Sequence, residues 1–70
     1  MLKNMNVKYP HISVQLSGED GNSMFIIGRV RLAMRRAKVP QHAIDAFTTE
    51  ALAGDYNHML QTCMQWVDIQ

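Results

Sequence analysis

Between Ile26 and Ala37, six apolar residues (Ile26, Ile27, Val30, Ala33, Met34 and Ala37) recur at steps of three and four. At 100° per residue they gather on one stripe about 120° wide, the width that a core-facing helix needs. Arg29, Arg31, Arg35, Arg36 and Lys38 spread over the opposite arc. Five of the seven Lys and Arg residues therefore lie within ten positions, and no acidic residue falls between Asp20 and Asp45. With a net charge of only +1, the chain is close to neutral yet strongly polarised.

What precedes this helix reads as a strand and a turn. From His11 to Leu16 the residues alternate, with Ile12, Val14 and Leu16 on one face and His11, Ser13 and Gln15 on the other. That is the pattern of a strand with one buried side. Pro10 suits a strand entrance and would be disruptive in the middle. Gly18 and Gly21 stop the strand, because glycine adopts backbone angles that other residues resist. Asp20, Asn22 or Ser23 can cap the helix by accepting a hydrogen bond from an exposed backbone N–H. Phe25 and Leu32 fall among the basic residues, where they either meet a second packing layer or form a small exposed apolar strip.

Pro40 ends the first helix and can sit in the first turn of the next. Ala43, Ile44, Phe47 and Ala51 are spaced for a second amphipathic helix from about Gln41 to Ala53, closed by Gly54. Asp55 is placed to cap a third helix, on which Tyr56, Met59, Leu60, Cys63, Trp66 and Val67 share one face. The closing WVDIQ is alternating and β-branched enough to leave the helix near Gln65 and form a short strand. The expected fold class is α+β, a β–α–α–α–β domain of three helices packed on a two-stranded sheet. It spans residues 1–70, with 1–9 a loosely ordered tail.

Seventy residues bury only roughly 60–65% of their unfolded surface, so stability is marginal without reinforcement. Cys63 is the only cysteine, which excludes an internal disulfide. His11, His42 and His58 are widely spaced and seed no zinc site, so no metal and no cofactor is expected. Self-association to a homo-oligomer is then one route to extra burial. No apolar run approaches the roughly 20 residues that cross a bilayer. The opening MLKNMNVKYP lacks the apolar centre of a secretory signal, and one free thiol suits a reducing cytoplasm.

Candidate chemistry is sparse. The loop GEDGNS precedes a helix, but its spacing matches neither phosphate-binding glycine pattern, and Glu19 and Asp20 would repel an anion. It serves better as a turn and cap. Cys63 and His58 lie about 140° apart on a helix, so a thiol–imidazole nucleophile does not form. Asp45, Glu50 and Asp68 make no recognisable acid–base pair, so no catalytic residue is assigned and the chain is read as non-enzymatic. Met24, Met34, Met59 and Met64 follow the core periodicity and read as packing. The basic helix face remains. Arg29, Arg31, Arg35 and Arg36, with Phe25 and Leu32 as apolar anchors, are the candidate contact surface for a protein partner. The alternative is nucleic acid bound through the same helix.

The segments GEDGN, GRVRLAMRRA, the proline after them, EALAGDYNHML and the closing WVDI resemble a group of small proteins of bacteria, prophages and phages. The likeness covers most of the chain from Tyr9 onward. It implies the order strand, glycine loop, three helices and a terminal tryptophan segment, and the genomic setting of a mobile-element accessory gene. It implies no mechanism, and no functional residue is carried over from it.

Overall fold

The computed structural model describes residues 7–16 and 21–70. Its elements run β1 (Tyr9–Val14), α1 (Ser23–Arg36), α2 (Gln41–Ala51), α3 (Tyr56–Trp66) and β2 (Val67–Ile69). The architecture is therefore α+β in the order β–α–α–α–β, with a two-stranded sheet. The two strands are parallel. A parallel pair needs a long crossover connection, and here that connection is the whole three-helix segment. α1 packs on β1, α3 on β2, and α2 bridges α1 and α3.

Alternation in β1 does what the sequence requires: Ile12 and Val14 are buried, whereas His11, Ser13 and Gln15 are exposed. The strand starts earlier than expected, because Tyr9 belongs to it and the Lys8 N–H already donates to the Gln65 carbonyl at 2.9 Å. Residues 8 and 9 are thus part of the fold rather than of a tail. Pro10 consequently sits inside the strand. The register accommodates it, since Tyr9 pairs with Val67 but Ser13 with Asp68, leaving three residues of β1 bulged past one step of β2. A proline lacks the N–H that a regular ladder would demand, and it falls inside this bulge. Pairing then runs beyond the strands proper: Gln70 N–H donates to Val14 O at 2.8 Å, and Leu16 N–H to Gln70 O at 2.9 Å.

Asn22 is the residue that caps α1. Its Oδ1 accepts from the Met24 N–H at 2.9 Å and the Phe25 N–H at 3.4 Å. Gly18, Glu19 and Asp20 of the glycine loop lie outside the described residues. At the other end, Val39 N–H donates to Met34 O and Lys38 N–H to Arg35 O, both at 3.0 Å. This is the paired 6→1 and 5→2 closure of a helix, which requires a left-handed residue just past the C-cap. Lys38 supplies it with φ of 67°, alone among the described non-glycine residues. Buried Val39 and Met34 make the apolar contact that accompanies such a closure.

A side chain in that conformation costs about 1–2 kcal/mol. Lys38→Gly should therefore stabilise the protein by about 0.5–1 kcal/mol, the gain being reduced by the greater freedom of glycine in the unfolded chain. Thermal melting should show a rise of a few degrees (about 4–8 °C per kcal/mol in a domain this size). A lower melting temperature would contradict the assignment of this cap.

Pro40 stands just before α2, its carbonyl accepting from the Ala43 and Ile44 N–H groups, so its missing donor is never needed. The expected closure of α2 at Gly54 takes another form. The helix ends at Ala51 with Leu52 as its C-cap, and Gly54 does not adopt the left-handed region. Asp55 caps α3 as anticipated, Oδ1 accepting from the His58 N–H at 2.9 Å. The core gathers Ile12 and Val14 from β1, Ile26, Ile27, Val30 and Met34 from α1, Ile44 and Phe47 from α2, and Met59, Cys63, Trp66 and Val67 from the final segment.

Candidate partner-binding surface

The apolar stripe of α1 is consumed by this core, which fixes what the helix turns outward. Arg35 and Arg36 are exposed, while Arg31 and Arg29 are half-buried. Among the described residues, Arg31, Arg35 and Arg36 have no carboxylate partner. Arg29 is different: its guanidinium lies 5.7 Å from the centre of the Phe25 ring, and its Nη2 donates to the Gln15 carbonyl at 3.5 Å. It therefore ties α1 to the end of β1 as well as contributing charge. Phe25, chosen as an apolar anchor, is half-buried beneath it. Leu32, the other anchor, is 39% exposed.

Two methionines depart from the core assignment. Met34 and Met59 are buried, but Met24 is 62% and Met64 47% exposed. The wheel position of Met24 contained the signal, since it falls about 120° from the centre of the buried stripe. With Gly28 and Leu32 it forms an i, i+4, i+8 line along the outer face of α1. Gly28 is exposed, and a Cβ built on it meets nothing within 4 Å. The surface is thus a short apolar line with a glycine at its middle, bordered by Arg31 and Arg35 on one side and Arg29 and Arg36 on the other.

A polar cluster surrounds Trp66. The indole N–H donates to Glu50 Oε1 at 2.7 Å, Tyr9 stacks on the ring at 6.2 Å, and Lys8 Nζ lies 5.2 Å from its centre. His58 Nε2 is 2.9 Å from the Glu50 carbonyl, which can only accept, so that nitrogen carries the proton. Thr62, the one buried polar residue among those described, satisfies its hydroxyl on the His58 carbonyl at 2.8 Å. Every group here has a structural partner. Cys63 faces the core instead, its Sγ 3.8 Å from Met59 Sδ, and burial pushes its thiol from 9.0 up to about 11. A thiol held neutral in an apolar setting is a poor nucleophile.

Tyr56, assigned to the core face of α3, is instead 47% exposed and donates its hydroxyl to the Gly21 carbonyl at 2.6 Å. It links the start of α1 to the start of α3 across a shallow depression of about 140 Å³ lined by Ser23, Ile27, Leu52 and Met59 among others. That volume is below the usual range of ligand pockets. No group of three His, Cys, Asp or Glu is placed to hold a metal among the described residues, and none of the helices is long and apolar enough to cross a membrane. Protein-family models, curated proteins and solved structures were all compared with the chain, and none matches. The outer face of α1 is the surface on which a functional reading rests.

Proposed function

We propose that the chain is a small non-enzymatic binding protein that acts by contact, presenting the outer face of α1 to an acidic surface of a protein partner. One observation carries the reading: Arg31, Arg35 and Arg36 are gathered on one helix with no carboxylate of the described residues spent on them, while Asp45, Glu50, Asp55 and Asp68 lie on later elements. Electrostatic complementarity of this kind steers encounter and selects partners more than it supplies affinity. Its likeness to small phage and prophage proteins suits an accessory role, in which such a contact modulates a host system.

Reversing Arg35 and Arg36 to Glu tests the reading, because both side chains are exposed and neither supports the core. The two also complement the α1 dipole, so the reversal should cost about 0.3–1 kcal/mol per residue, which a thermal melt will show. Tagged protein should capture a partner from a lysate of the native host, and the double reversal should lose it while keeping its far-ultraviolet circular dichroism. Capture that is equal in both would remove the proposal. Nucleic-acid binding by the same helix predicts a steep loss of affinity with salt. Retardation of a duplex at about 50 mM salt, abolished by the same reversal, would replace the protein partner with nucleic acid.

A further inference from the structure

Gly28 lies in the middle of α1, where glycine is the least favourable residue after proline. Nothing among the described residues asks for it. Its backbone is not left-handed, it is exposed, and an added Cβ would meet nothing within 4 Å among the described residues. A glycine that the fold does not need, on a face turned to solvent, permits one thing that alanine hinders: close approach of another backbone.

The neighbours of Gly28 fit such an approach. Met24 and Leu32, four residues to either side, are 62% and 39% exposed. The three form one i±4 row about 12 Å long, the kind of ridge that packs into the groove of a second helix. Packed helices lie 8–10 Å apart according to the side chains at the crossing, and a glycine there favours the short end.

Resting on the binding role proposed above, we infer that the outer face of α1 is a helix-docking surface crossed at Gly28, and that its occupant is an acidic amphipathic helix of another protein. Met24 and Leu32 take the apolar seam of that helix. Arg31, Arg35 and Arg36 take carboxylates on its flanks. A second copy of this chain fits badly, because two such faces would set arginines against arginines. A nucleic-acid backbone would engage the arginines but leaves the apolar row and its glycine without a role.

The inference can be tested by titrating isotopically labelled protein with capped helical peptides of about 18 residues, long enough to hold helix in water. One peptide carries an Ala/Leu seam with Glu flanks, and a second has Lys in place of Glu. A short DNA duplex is the third ligand. The Glu peptide should shift the amides of Met24, Gly28, Leu32 and Arg35 and saturate, whereas the Lys peptide and the duplex should not. Gly28→Leu should weaken the Glu peptide about tenfold or more, equivalent to about 1.4 kcal/mol. Gly28→Ala should weaken it less while raising the melting temperature by about 4–8 °C, so that stability and binding move in opposite directions. If Gly28→Leu binds as tightly as the parent while Arg35→Glu with Arg36→Glu does not bind, the docking row is wrong and the charged-face reading survives. If the Glu peptide leaves α1 unshifted, the helix occupant is wrong, and the lysate capture still judges the broader reading. Shifts produced by the duplex would sink both.

Discussion

Phe47→Ala should leave the protein unfolded, or nearly so, at ambient temperature. Phe47 is fully buried and meets Trp66 edge-to-face, with ring centres 5.8 Å apart. Truncating a phenylalanine in such a site costs about 3–5 kcal/mol, the lost transfer energy and the cavity acting together. Domains of this size are stable by roughly 0.05–0.15 kcal/mol per residue, so the loss is comparable to the whole stability. Cys63 offers a direct readout. It is fully buried, and its thiol is pushed up to about 11, so alkylation near neutral pH should be slow in the parent and fast in the variant. A variant that keeps Cys63 protected and melts within a few degrees of the parent would show that α2 does not anchor this core.

Gly54→Ala should cost about 1–3 kcal/mol, although the residue is exposed. A Cβ there would lie 2.7 Å from Cγ, 2.9 Å from Cβ and 3.0 Å from Cδ2 of His58. The His58 Cβ cannot retreat, because it is fixed to the α3 backbone, and the Asp55 cap holds the His58 N–H at 2.9 Å. The imidazole would have to swing away from the Glu50 carbonyl that it now meets at 2.9 Å, leaving the last turn of α2 without that donor. A double-mutant cycle isolates the cause. In a His58→Gly background all three contacts disappear, so Gly54→Ala should become nearly neutral, with a coupling energy of about 0.5–3 kcal/mol. Equal costs in the two backgrounds would rule out this contact as the reason for the glycine.

Gly54 and Lys38 show how far the sequence could be read. Glycine after a periodic run suggested that Gly54 closes α2, whereas the helix stops at Ala51 with Leu52 as its cap. The purpose of Gly54 was not legible, because that depends on where the imidazole of the next helix comes to rest. The left-handed closure expected of a glycine belongs instead to Lys38, a residue whose composition gives no hint of it. Periodicity recovered the buried faces of α1 and α2 and the switch from α3 to strand near Gln65, because each follows from a repeat visible in one segment. Pairing is a relation between distant segments, and so the early start of β1, its bulge at Pro10 and the parallel direction had no local signature. For the candidate surface, charge segregation pointed to the right helix, but the wheel alone could not tell that Arg29 would lie over Phe25. Nor could it tell that Phe25 would be half-buried, although the exposure of Met24 was written in its wheel position.

The pairing of Tyr9 with Val67 and of Val14 with Ile69 has a kinetic meaning. Bringing together strands so distant in sequence costs on the order of 4 kcal/mol in chain entropy. A sheet of two short strands cannot offset that alone. It gains a partner surface only once α1 and α3 have brought their apolar stripes together. Folding should then proceed from the middle of the chain outward, with opening beginning at the sheet. Amides at the Gln70–Val14 junction should exchange with solvent before those of the helices, which native-state hydrogen exchange would check.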